Sequence, residues 1–152
     1  MTMPRLRGEE ITMAWKTQNG KYTGNYPDGM GSYSYGENKV EIEIYRDISI
    51  DGQSYCVLMN IKGTCSHSHE AWGDSSEACV DEIFIMSVER YTGEKGEYDN
   101  YLTEPVYENK WYDKDMDAEF RKGLGEKVYD EVNRLADERA FDDYLWSAAE
   151  DN

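Results

Sequence analysis

One stretch of the sequence, KVEIEIYRDISIDGQSYCVLMNIKG at residues 39–63, restricts the fold more than any other. Apolar and polar residues alternate on both sides of Asp51-Gly52, a pair well suited to the positive φ angles of a two-residue type I′ turn. Closing a hairpin there fixes a single register, because a slip of one residue would turn every side chain to the other face. That register pairs Ile50 with Gln53, Ile48 with Tyr55, Ile44 with Met59 and Ile42 with Ile61, and sets Glu41 opposite Lys62. The stretch therefore predicts an antiparallel hairpin with one apolar face.

Two further turns are predicted before this hairpin. Asn19-Gly20 repeats the type I′ signal after the alternating residues of ITMAWKTQ, so a hairpin is expected to close there. Pro27 and Gly29 in YPDGMG indicate a second turn, because proline presets φ and glycine adopts the left-handed conformation at little cost.

The segments after residue 80 predict the remaining strands. DEIFIMSVERY, residues 81–91, holds a continuous apolar run that is typical of a central strand. Residues 102–113 are limited to an edge or irregular segment, because Pro105 cannot donate a hydrogen bond to a ladder. Together these patterns predict an antiparallel β-meander of about five to six strands over residues ~10–90.

Beyond residue 113 the apolar period changes from two to that of a helix. Gly123 and Gly125 weaken this helix near its start, so two pieces are expected. A last amphipathic stretch surrounds Leu145 and Trp146. The predicted fold class is α+β, a meander packed against C-terminal helix over residues ~115–149. The residues that line the helical face are Phe120, Leu124, Val128, Val132 and Leu135.

The length of 152 residues suits one domain over residues 1–152, with residues 1–12 treated as an N-terminal extension that can be flexible. The first fifteen residues hold no apolar run of signal-peptide length, and no segment has the length of a membrane span. Three cysteines, an odd number without a secretory signal, fit reduced thiols. We therefore expect a cytoplasmic protein.

Both histidines and two of the cysteines lie in GTCSHSHEAWGDSSEAC, residues 63–79. If the strand outlasts Gly63, Cys65, His67 and His69 share one face, and Cys79 could return to complete a tetrahedral Cys₂His₂ site for structural zinc. The spacing lacks the Cys-x₂₋₄-Cys knuckle of common zinc modules. The alternative is an ordinary polar loop, as the serines of this stretch suggest.

A second set of acids lies in DKDMDAEFRKGL, where Asp113, Asp115 and Asp117 match the first three ligand positions of an EF-hand loop. Ala118 and Leu124 stand where that loop needs its glycine and its bidentate glutamate. These acids are therefore expected to cap a helix N-terminus instead.

The sequence contains no nucleophile elbow, P-loop or dinucleotide-binding motif. Asp81 next to Glu82 does not indicate a glycosidase, because such pairs are common in a chain with 32 acids. We therefore expect no catalytic residues and no enzyme.

The formal net charge of −16 is unevenly spread. Residues 1–46 are neutral overall, and residues 47–152 carry ten basic and 26 acidic side chains. Such a surface repels nucleic-acid phosphates and anionic lipids, and favours encounter with a basic protein. The acids expected to bind such a partner lie on the C-terminal helices: Asp130, Glu131, Asp137, Glu138, Asp142, Asp143 and Glu150.

These features predict a non-enzymatic acidic interaction protein. Its carboxylates would imitate nucleic-acid phosphates and occupy the basic groove of a nucleic-acid-handling protein. Small size, excess acid and missing catalytic motifs are typical of the inhibitors that phages and mobile elements use against host defences. The alternatives are a small zinc-stabilised module built on Cys65, His67, His69 and Cys79, and an acidic surface that serves only solubility.

Overall fold

A computed structural model describes residues 3–5, 10–25, 32–70, 73–97 and 100–150, which form one antiparallel sheet and three C-terminal helices. This confirms the α+β class. Four long strands cover residues 10–95, so the prediction of five to six strands over that part of the chain is wrong. The strands are β1 Met3–Arg5, β2 Glu10–Asn25, β3 Ser32–Ile50, β4 Gln53–Glu70, β5 Gly73–Lys95 and β6 Tyr101–Glu108. The two short strands, β1 and β6, pair with each other at one side of the described sheet, whose order is β1-β6-β5-β4-β3-β2. Strands thus begin within the predicted N-terminal extension.

The central hairpin has the predicted register. β3 and β4 meet at Asp51 and Gly52, whose φ angles of 51° and 82° are those of a type I′ turn. Every predicted pair from Ile50 with Gln53 to Ile42 with Ile61 is present, and Glu41 lies opposite Lys62. The aliphatic side chains that share one face of this hairpin are buried, and Tyr55 on the same face is half-buried.

The hairpin predicted at Asn19-Gly20 is wrong. Both residues lie inside β2, where Asn19 pairs with Asn38 and Gly20 with Glu37. β3 is long enough to pair with β2 as far as Asn25, and a continuous ladder satisfies more backbone groups than an early two-residue turn would. The turn predicted at Pro27 and Gly29 lies outside the described residues.

β5 contains the predicted strand of residues 81–91 and lies inside the sheet, between β4 and β6. The segment around Pro105 is more regular than predicted, since β6 pairs with β5 on one side. On its other side β6 pairs with β1 only over residues 101–103. Among the described residues Pro105 therefore lies at an edge of the sheet, where no strand needs the N–H group that proline lacks.

Three helices follow: α1 Lys114–Phe120, α2 Leu124–Asp137 and α3 Asp142–Glu150. The predicted break near the two glycines is confirmed, and Gly125 lies so close to Phe120 that a Cβ would sit 2.6 Å from the Phe120 carbonyl carbon. No helix within the described ranges is long and apolar enough to span a membrane. The buried core joins the inner faces of the sheet and helices: Ile42, Ile44, Met59, Ile61, Ile85, Val88, Val128, Val132, Phe141 and Leu145.

The sheet is curled around α3. β1 and β2 are its two outermost strands, yet only residues 6–9 connect them. A flat six-stranded sheet would set its outer strands about 24 Å apart, whereas such a connection extends to about 18 Å at most. α3 accordingly contacts β2, β3, β4 and β5 from the concave side.

Candidate functional site: an acidic groove at the outer edge of β5

The Cys-His stretch continues as strand. β4 runs through Gly63, so Cys65, His67 and His69 share the face of Ile61, as predicted for an unbroken strand. Cys65 is only 1% exposed and belongs to the core, whereas both histidines are exposed. The His67 ring lies across Gly36 of β3, where an added Cβ would be 2.5 Å from its Cε1 atom. His69 contacts Asp74 of β5.

The structure does not bring the four candidate zinc ligands together. Cys65 lies opposite Ala78 and Cys79 lies opposite Thr64, so the two thiols point to opposite faces of the sheet. Within the described part of the chain no three His, Cys, Asp or Glu side chains are grouped in a way that could hold a metal ion.

Neither thiol of this stretch is activated. Burial, with Asp142 and Cys79 nearby, raises the pKa of Cys65 from its ordinary value of 9.0 to about 11. Desolvation also raises the pKa of Cys79, and a hydrogen bond from its Sγ to Glu77 Oε1, 3.4 Å long, acts in the same direction. Both thiols are therefore protonated near neutral pH, which disfavours nucleophilic attack and metal binding.

The EF-hand-like acids lie at the N-terminus of α1, and one of them, Asp113, caps it. Asp113 Oδ1 accepts hydrogen bonds from the backbone N–H groups of Asp115 at 2.9 Å and Met116 at 3.1 Å at the start of α1. Asp117 is 9% exposed and accepts from Arg121 Nε at 2.9 Å. Asp113 is therefore the N-cap of α1, and Asp115 and Asp117 lie in its first turn.

The seven acids predicted on the C-terminal helices are all present on α2 and α3 or the turn between them, and three are paired. Arg134 contacts both Glu131 and Glu138, and Arg139 contacts Asp142. The other four have no ion-pair partner among the described residues: Asp130, Asp137, Asp143 and Glu150.

Negative charge is concentrated where α2 and α3 meet β5. Residues 63–89 contain six acids and no lysine or arginine. A groove of about 500 Å³ separates this part of β5 from the helices. Of the described residues that line it, Arg139 is the single cation, and its Nε atom is 2.7 Å from Asp142. The acids that line the groove are Glu77, Asp81, Glu82, Asp137 and Asp142.

Two of these five carboxylates accept hydrogen bonds from neutral groups rather than from cations. Asp81 accepts a hydrogen bond from Thr64 Oγ1 at 2.6 Å, and Glu77 accepts one from Cys79. Glu82 lies 3.9 Å from Lys62, a distance at which an exposed ion pair contributes little. The groove thus retains most of its negative charge and can attract lysine or arginine side chains.

Sequence reasoning identified Asp137 and Asp142 but missed the contribution of β5. The absence of basic residues between Lys62 and Arg90 was the available signal. This acidic run could not be placed on a particular surface, because the sequence did not show that α2 and α3 lie beside β5.

A second cavity, of about 190 Å³, lies near Asp47, Tyr91 and Tyr101. Tyr91 donates to Asp47 Oδ1 at 2.5 Å, and its ring meets Tyr101 edge to face. Burial, followed by this hydrogen bond, raises the pKa of Tyr91. These groups satisfy one another, which suits a structural role.

Comparison with protein-family models, curated proteins and solved structures finds no match. The fold and the groove define the chain as a small acidic α+β protein with a predominantly acidic groove.

Proposed function

We propose that this protein is a non-enzymatic interaction protein that binds a basic, nucleic-acid-handling partner through its acidic groove and the adjoining helices. The observation that carries the proposal is the groove itself, in which five carboxylates face a single arginine among the described lining residues. Such a surface favours encounter with cationic proteins and repels nucleic acid.

Phosphate mimicry explains why the partner would handle nucleic acid. A basic groove that binds DNA or RNA presents lysine and arginine side chains at the spacing of a charged backbone. Carboxylates held on a strand and on two helix ends can meet the same cations. The protein would then act as an inhibitor by occupying the nucleic-acid site, as small anti-defence proteins of phages and mobile elements do.

The test is a comparison of two triple variants of equal charge. Glu77→Gln/Asp81→Asn/Glu82→Gln neutralises the β5 side of the groove, and Glu94→Gln/Glu97→Gln/Glu126→Gln neutralises exposed acids elsewhere. Each tagged protein is incubated with lysate from a candidate host, and captured proteins are identified by mass spectrometry. We expect the wild type and the second variant to retain a nucleic-acid-binding protein that duplex DNA and salt both displace.

Loss of capture in the first variant alone would support the groove as the surface that binds the partner. Capture of no nucleic-acid-binding protein, or binding that does not weaken between low and physiological ionic strength, would contradict the proposal.

A further inference from the structure

β5 is longer than the strand that covers it. It pairs with β4 over residues 73–90, whereas β6 pairs only with residues 87–95. Asn109 N donates to the Met86 carbonyl at 2.7 Å and ends this pairing. Residues 73–84 therefore have no strand on their outer side within the described part of the chain.

The hydrogen-bonding groups of this edge can be assigned from the ladder. Ile85 turns its N–H away from β4, since that group donates to the Tyr129 hydroxyl at 3.0 Å. In an antiparallel pair such residues alternate with residues that bond to the partner strand. Following the register along β4 past the irregularity near Asp81, the outward N–H groups belong to Ile83, Val80, Ala78, Ser76 and Asp74.

The charges beside this edge select what can pair with it. Open strand edges are a common route to self-association, and same-sign charges oppose it. A second copy placed edge to edge would bring Glu77, Asp81 and Glu82 against like charges, whereas a basic strand would meet opposite charges. Asp137, on the helix side of the groove, adds to this preference.

From this geometry we infer that the partner docks by strand addition: an extended basic segment pairs with the outer edge of β5 at residues 73–84 and lays its cationic side chains in the acidic groove. The inference rests on the proposed function and adds the mode of binding. Main-chain hydrogen bonds supply the affinity in such complexes, and alternate side chains supply the specificity.

The probe is a blocked octapeptide of alternating lysine and valine, titrated into the 152-residue protein at low salt. Amide hydrogen exchange is followed by NMR with and without the peptide. Strand addition predicts that exchange at Ser76 and Ala78 slows by about tenfold or more when the peptide is bound, because their N–H groups then have a carbonyl partner.

A second measurement uses Ser76→Pro, which removes one outward N–H, beside Ser76→Ala, which keeps it. Peptide affinity should fall about tenfold in the proline variant only.

Several results would overturn strand addition. Salt-sensitive binding without protection of these amides would show that charge alone holds the peptide, and would leave the acidic interaction function standing. Failure of the wild type to bind the peptide at low salt would also overturn it, as would a dimer that protects the same amides without peptide. Since the exchange measurement uses the wild type, the conclusion does not depend on the folding of the proline variant.

Discussion

The hydroxyl group of Tyr129 on α2 donates a hydrogen bond to Asp117 Oδ1 on α1, at 2.5 Å. The same hydroxyl oxygen accepts from Ile85 N of β5 at 3.0 Å, and the Arg121 guanidinium carbon lies 3.7 Å from the centre of the ring. One buried side chain thus joins two helices to the strand edge beside the acidic groove. It also ends the unsatisfied part of that edge, since the next outward N–H is that of Ile83.

Tyr129→Phe should lower the free energy of unfolding by about 1–3 kcal/mol, because it leaves the buried Ile85 N–H without its acceptor and removes one donor to Asp117. Urea denaturation measures the effect. Tyr107→Phe is the matched control. Tyr107 stacks on Phe120 with the ring centres 3.7 Å apart, and among the described residues its hydroxyl accepts only from Asn109, whose amide also donates to the Asp113 carbonyl. Equal losses in the two variants would show that the Tyr129 hydroxyl has no special role.

Gly63→Ala should also destabilise the protein, by about 1–3 kcal/mol, through overpacking. An added Cβ would lie 2.8 Å from the Leu145 methyl groups of α3 and 2.9 Å from the Cys79 carbonyl oxygen. The Leu145→Ala background removes the first of these contacts, so Gly63→Ala should cost less there than in the wild type. Thermal unfolding of the four proteins of this cycle gives the coupling, and strictly additive costs would contradict the predicted contact.

Gly63 also shows how far the sequence could predict the fold. The central hairpin was predictable pair by pair, because alternation and Asp51-Gly52 specify the same register. The role of Gly63 could not be predicted from the sequence. From sequence it is a potential strand break; in the structure it is a strand residue whose missing side chain makes room for α3. Such close approaches depend on residues 82 positions apart, and no local pattern reports them.

The candidate site, too, could be predicted from the sequence only in part. The parity that placed Cys65, His67 and His69 on one face was correct, since it follows from strand geometry alone. Whether Cys79 joins them depends on how β5 pairs with β4, and that register sets Cys79 opposite Thr64. Likewise the excess of acid was visible in the sequence, whereas its concentration in one groove required the packing of α2 and α3 beside β5.

The raised pKa of Cys65 predicts a loss of stability at alkaline pH. The folded state holds the thiol proton up to about pH 11, whereas the unfolded state releases it near its ordinary value of 9.0. The contribution is therefore fully present below pH 9 and is lost as the pH rises through 11, by on the order of 2 kcal/mol. Urea unfolding of wild type and Cys65→Ala at pH 7, 9 and 10.5 isolates this residue from the buried tyrosines. Parallel pH profiles for the two proteins would show that Cys65 does not titrate abnormally.

Cys79 should report the charge of the groove directly. It is exposed, whereas Cys56 and Cys65 are buried, so one thiol per folded chain should react with a disulfide reagent faster than the other two. Carboxylates around Cys79 repel an anionic reagent such as dithionitrobenzoate and attract a cationic one such as cystamine. Added salt screens both effects, so it should speed the first reaction relative to the second.

Arg139→Gln tests whether the charge of the groove controls the reactivity of Cys79, because it removes the single cation among the described residues that line the groove. It should slow the anionic reagent further and increase the salt dependence. Lys127→Gln is the control of equal charge, since Lys127 pairs with Asp51 at the hairpin turn. Cys79→Ser should abolish the fast phase with both reagents. If salt changed both rates alike, or if the two charge variants behaved identically, the negative field would not be centred on this groove, and the binding surface would have to be sought among Asp130, Asp143 and Glu150 on the helices.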